Sequence, residues 1–160
     1  MRKGEKNVLL IIAGIVVLLM GLNIYRQTQE TEHATEIPFY STADTNLKVQ
    51  GSAVYKRLEC KGCHSLWTVR DMMRSVPAPA LDGIGSLRDE QWLYNYLSAA
   101  NPQSILPSRL KPEYRMPSYS HLDAEERHIL ARYLSSLKVK DWYLEQTRKA
   151  ECTKLTGEEC

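Results

Sequence analysis

The sequence predicts an all-α domain behind a single N-terminal transmembrane helix. Three observations carry that expectation. Val8 to Leu22 is an uncharged apolar run, three later segments place apolar residues at helical spacing, and Ser86 and Asp123 each precede an acid by three residues. A chain of 160 residues suits one domain of ordinary size with tails. The formal net charge is +2, and Arg2, Lys3 and Lys6 against Glu5 account for all of it. The remainder is balanced, which excludes the basic footprint of a nucleic-acid binder. Phe occurs once, against 9 Tyr and 3 Trp. Aromatics with a polar tip suit a small core built around a group with polar edges.

Residues 1–25 read as a signal anchor. Asn23, Ile24 and Tyr25 extend the apolar run to Arg26, and about eighteen residues at 1.5 Å each span roughly 27 Å, close to the hydrocarbon thickness of a bilayer. Met20 to Tyr25 offers no small-x-small cleavage pattern, so the anchor is expected to stay. The positive-inside rule leaves Arg2 and Lys3 in the cytoplasm and everything after Arg26 outside it. The expected location is a bacterial inner membrane, crossed once, with the domain in the periplasm. Cysteines there meet oxidising conditions. Residues 26–44 are polar and aperiodic and read as a flexible tether, in which Ile37, Phe39 and Tyr40 are the residues able to dock.

Residues 45–138 read as the domain. Leu47, Val54 and Leu58 predict a helix over 46–58, with Gly51 and Tyr55 on neighbouring faces. Ser86 with Asp89 predicts a helix over 87–100, striped by Trp92, Leu93, Tyr96 and Leu97 and stopped by Asn101-Pro102. Asp123 with Glu126 predicts a helix ending near Leu137, with Leu130, Tyr133, Leu134 and Leu137 buried. The long loop from Pro102 to Ser120 holds Pro107, Pro112, Pro117 and Met116. Residues 139–160 form a polar extension. Asp141–Lys149 reads as a short helix, Trp142, Tyr143 and Leu144 as an apolar cluster, and Cys152 with Cys160 as a disulfide.

The preceding helix runs into Cys60-Lys61-Gly62-Cys63-His64, the C-x-x-C-H pattern of covalent haem attachment. Each position has a chemical reason. Two thiols add across the two porphyrin vinyl groups, and the following His is brought under the iron. The expected cofactor is one covalent haem c. A Cys60–Cys63 disulfide or half of a zinc site are the competing readings; zinc wants four ligands, and Cys152 and Cys160 are badly spaced to complete it. The second axial ligand decides the chemistry, since Met/His ligation favours electron transfer and an open site favours binding or catalysis. Met72, Met73, Met116, His33, His121 and His128 are candidates. Met116, in its proline-stiffened loop, is the expected ligand with His121 next. A ligating His needs an acceptor for its other nitrogen, and the carbonyl of Pro79, in the stiff run Pro77-Ala78-Pro79-Ala80-Leu81, is the expected one.

These residues resemble class I cytochromes c. The likeness rests on Gly51 and Tyr55 ahead of Cys60-Lys61-Gly62-Cys63-His64, on Pro79-Ala80-Leu81-Asp82-Gly83-Ile84-Gly85, on the helix at 87–100, on Met116-Pro117, and on Tyr133-Leu134 in the last helix. It implies the class I cytochrome c fold, with first and last helices crossing where Gly51 permits close approach and Tyr55 and Tyr133 pack. It also implies His64 and Met116 as iron ligands and Pro79 as the acceptor. A narrower stretch, Asn101 to Pro107 through Met116 to Tyr119, with Cys63-His64-Ser65 and Val69-Arg70, is similar to the membrane-anchored monohaem cytochrome subunit of C-family haem–copper oxidases. The segment from His64 to Pro79 is shorter than in those subunits. The resemblance implies an electron carrier of a respiratory or other membrane redox complex, not itself an enzyme, with redox-protein partners and no small-molecule substrate. The alternative is a haem with an open or labile sixth site that binds a small gas or substrate. Arg109, Lys111 and Arg115 give the loop a positive charge suited to an acidic partner.

Overall fold

The computed structural model describes residues 3–33, 36–67 and 76–160, and in its first helix the side chains of Asn7 and Ile11 to Tyr25. That helix, α1, runs Lys3–His33, so the first part of the expected tether is helical. The described side chains from Ile11 to Tyr25 are all exposed. Among the described residues no helix is long and apolar enough to cross a membrane. The chain divides after Ile37 into α1 and a second unit.

The second unit holds β1 (Phe39–Ser41), α2 (Thr45–Arg57), α3 (Ile84–Leu87), α4 (Glu90–Ser98), α5 (Ala124–Ser135), β2 (Leu137–Val139) and α6 (Asp141–Thr156), with short 3₁₀ turns at Cys60–Gly62, Pro102–Ser104 and Pro112–Tyr114. α2 starts where the Asp44 carboxylate accepts the Leu47 N–H at 2.8 Å. It ends with Lys56 and Arg57 in the last turn, where cations favour the helix dipole. Gly51, Val54 and Tyr55 are its buried face and meet α5, which buries Leu130, Ala131, Tyr133 and Leu134. α4 buries Leu93 and Leu97 against the same helix. The core cluster therefore forms around α5, where Ala131 and Leu130 are 0% and 1% exposed.

The expected helix over 87–100 is broken. α3 stops at Arg88, whose backbone is extended, and α4 begins after Asp89, whose carboxylate accepts the Trp92 N–H at 2.7 Å. Ser86 is not the cap, because its hydroxyl accepts the Val139 N–H at 3.0 Å. The helix expected to reach Leu137 also ends early. The Ser136 hydroxyl donates back to the Tyr133 carbonyl at 2.6 Å, and Leu137–Val139 pairs antiparallel with Phe39–Ser41. Leu137 and Val139 are buried on either side of half-buried Lys138, a period of two that suits a strand. Two expectations are corrected here. The domain is mostly helical but carries a two-stranded sheet, and residues 39–41 of the expected tether 26–44 are one of its strands.

α6 is longer than the expected 141–149 helix. Phe39 meets Tyr143 edge-on at 5.5 Å, and the Arg88 guanidinium pairs with Glu151 at 3.2 Å. Gly157 caps α6 in the left-handed region, φ 84°, with its N–H on the Thr153 carbonyl at 2.9 Å. Cys152 and Cys160 form the expected disulfide.

The crossing of α2 and α5 needs Gly51, because a Cβ there would overlap the Tyr133 side chain. Gly51→Ala should destabilise the haem-loaded protein by about 1–3 kcal/mol, the usual cost of overpacking. Denaturant unfolding of both proteins measures it, and an unchanged midpoint would contradict the close crossing.

Candidate functional site

The site begins where α2 ends. Glu59 takes a left-handed backbone, φ 53°, which turns the chain out of the helix. A tight turn follows: Gly62 N–H reaches the Glu59 carbonyl at 2.8 Å, and the N–H groups of Cys63 and His64 reach the Cys60 carbonyl at 3.2 and 2.9 Å. The turn brings Cys60, Cys63 and His64 onto one wall of a cleft of about 320 Å³, within the usual size of a small-molecule or cofactor site. The two cysteines are not bridged to each other, and among the described residues no three His, Cys, Asp or Glu side chains cluster as a metal site. Burial pushes the Cys60 thiol up to about 11, and Tyr119 lines the same cleft. A neutral sulfur in an apolar wall is what a thioether requires.

His64 Nδ1 lies 2.7 Å from the Pro79 carbonyl. A carbonyl only accepts, so Nδ1 carries the proton, and in the neutral ring Nε2 carries the lone pair that a metal would take. Pro79 is held in turn. Leu81 N–H donates to the Ser65 carbonyl at 2.9 Å. The buried Asp82 carboxylate accepts the Trp67 N–H at 2.6 Å. Residues 65–67 and 81–82 are thus laced together beside the imidazole.

Across the cleft stands the proline-rich loop. Met116 is half-buried and lines the cleft. Gln103 Nε2 donates to its carbonyl at 2.9 Å, and the Ser118 hydroxyl donates to the Ala99 carbonyl at the end of α4 at 2.8 Å. Trp92 and Tyr96 from α4, stacked with centroids 5.1 Å apart, join Leu93, Leu97, Leu130 and Leu134 in the apolar lining. Tyr55 also lines it. Its buried hydroxyl has no hydrogen-bond partner among the described residues, and burial raises its phenol. An occupant bearing acceptor atoms would satisfy it.

The structure brings Cys60, Cys63, His64, Pro79 and Met116 to one cleft. His121 is exposed beside Tyr119, with ring centroids 6.4 Å apart, and His128 stacks on Tyr94 at 3.9 Å. Neither lines the cleft. Met72, Met73 and the His33 side chain lie outside the described residues. Sequence reasoning missed the contribution of α6, which adds Glu151, Lys154 and Leu155 to the lining. Their spacing of three and four residues marks one helix face, a signal present in the sequence. Burial raises the Glu151 carboxyl, an effect the Arg88 guanidinium opposes. Arg109 and Arg115, expected as a charge for partners, line the cleft as well.

The Cytochrome c family profile matches residues 49–138, more than half of the chain, and stops before α6. No curated protein and no solved structure gives a significant match. The cleft fits the family's covalent haem c in its donor set: two unbridged thiols and an imidazole of fixed tautomer on one wall, a thioether on the loop, and apolar side chains between. The chain belongs to the cytochrome c family, whose members carry electrons on a covalently bound haem c.

Proposed function

We propose that this chain is a membrane-tethered, single-haem electron carrier in which Cys60 and Cys63 hold the haem and His64 and Met116 ligate its iron. The observation that carries this reading is the His64 Nδ1–Pro79 hydrogen bond at 2.7 Å on the wall of a cleft that Met116 also lines. The bound haem supplies a one-electron iron couple. The protein's own residues fix its surroundings. Pro79 orients the imidazole and raises its basicity as a ligand, the Met116 thioether favours a higher potential, and the apolar lining excludes water. The proline-rich loop and the bonds joining Ser65 to Leu81 and Trp67 to Asp82 would hold the two ligands in place and so keep reorganisation small. Electrons pass by docking, with no substrate bonded.

The haem is also part of the core. Leu93, Leu97, Leu130 and Leu134 face the cleft, so a bound haem covers apolar surface that water would otherwise meet, and losing it should lower the stability of the domain.

The anchor is the apolar run Val8 to Tyr25 within α1. Its exposed face of Ile, Val and Leu from Ile11 onward supports burial in lipid rather than water, and the basic Arg2 and Lys3 support an inside N-terminus. The haem domain then sits on the periplasmic side, docked to or built into a membrane redox complex. A tether raises the effective concentration of such a partner.

Optical spectra of the exported protein, taken from membranes washed at alkaline pH, test the reading. The expected result is a low-spin haem c in the membrane fraction, with the weak red band of Met–Fe(III) ligation. Met116→Ala should abolish that band and yield a high-spin or water-ligated form that binds carbon monoxide when reduced. A high-spin wild type would refute Met116 as ligand, and recovery in the wash would refute the anchor.

A further inference from the structure

α6 is the wall of the cleft that the family match does not reach, and its charges are unequally used. Glu151 is paired with Arg88 at 3.2 Å, and Arg88 itself lies over the Trp92 ring at 5.0 Å. On the facing loop, Arg115 Nε donates to the Leu110 carbonyl at 2.7 Å. Arg109 and Lys154 line the same cleft with exposed side chains and enter no ion pair among the described residues. Arg109 lies beside Gly157. A Cβ on Gly157 would come 2.9 Å from its Cζ and 3.0 Å from its Nε, so a side chain at 157 would push the guanidinium off. Gly157 is itself fixed by its left-handed cap, and the Cys152–Cys160 disulfide brackets it.

We propose that the C-terminal hook, α6 closed by Cys152–Cys160, is a positioning device that seats Arg109, with Lys154 beside it, against the carboxylates of the haem and so raises the haem's midpoint potential. Haem c brings two propionate carboxylates into a cleft whose wall carries these two unpaired cations. The guanidinium fork matches a carboxylate in two hydrogen bonds. A cation held near the porphyrin opposes the extra positive charge of Fe(III), so electron entry is favoured. Arg109 is a positioning residue for the haem, and Gly157 and the disulfide act through it.

The inference rests on haem c occupying this cleft, and the pyridine haemochrome content of each variant reports that separately from the potential. Midpoint potentials are measured by spectroelectrochemistry on the haem-loaded, full-length protein. Arg109→Gln should lower the potential by roughly a tenfold change in the reduction equilibrium, about 59 mV for one electron, with full haem content and unchanged Met-ligation band. Arg109→Lys should recover part of the loss. Gly157→Val and the paired Cys152→Ser/Cys160→Ser variant should lower it in the same direction. Neither should add to Arg109→Gln when combined with it, because both act through the same guanidinium. An unchanged potential in Arg109→Gln at full haem content would overturn the proposal. So would additive effects of the hook variants.

Discussion

The hydrogen bond from His64 Nδ1 to the Pro79 carbonyl sets the terms for the rest of the domain. It fixes a tautomer, and the tautomer decides which ring nitrogen can face a metal. Satisfying it requires the Pro79 run to pass under the imidazole, and the Leu81–Ser65 and Asp82–Trp67 bonds hold it there. The Cys60–His64 turn can in turn reach that place only because α2 ends where it does and Glu59 bends the chain away. α2 is fixed by its crossing with α5, which is why Gly51 carries no side chain. One polar contact in an apolar wall thus depends on the packing of two helices far apart in sequence.

The parts of this arrangement legible in the sequence are those whose chemistry is local. Cys60, Cys63 and His64 announce themselves by spacing, and Pro79 by stiffness with a carbonyl that no helix uses. Ser86 and Asp89 are both good caps in the sequence; Val139, 53 residues on, takes the Ser86 hydroxyl, which leaves Asp89 to start the helix. Leu137 extends the helical spacing of Leu130 and Leu134, and equally begins the alternation Leu137-Lys138-Val139. Only the arrival of Phe39–Ser41 as a partner strand decides between the two. The role of α6 was illegible for a similar reason. Its Glu151-Lys154-Leu155 face is visible as a pattern, yet nothing local says that it meets the cleft.

The family match ends at residue 138, and α6 lies beyond it. α6 lines the cleft through Glu151, Lys154 and Leu155, the Cys152–Cys160 disulfide closes its end, and Arg109 of the loop lies beside its Gly157 cap. Sequence charge alone does not distinguish a cation offered to a partner from one that lines the protein's own cleft.

The central claim is most directly tested by ¹⁵N-resolved NMR of the His64 ring in the reduced, haem-loaded protein. The expected result is an Nδ1–H that exchanges slowly with solvent, with Nε2 unprotonated and shifted by its iron. A protonated Nε2, or an Nδ1–H that exchanges as fast as that of a free imidazole, would contradict it, because His64 would then be neither bound to a metal nor held by Pro79.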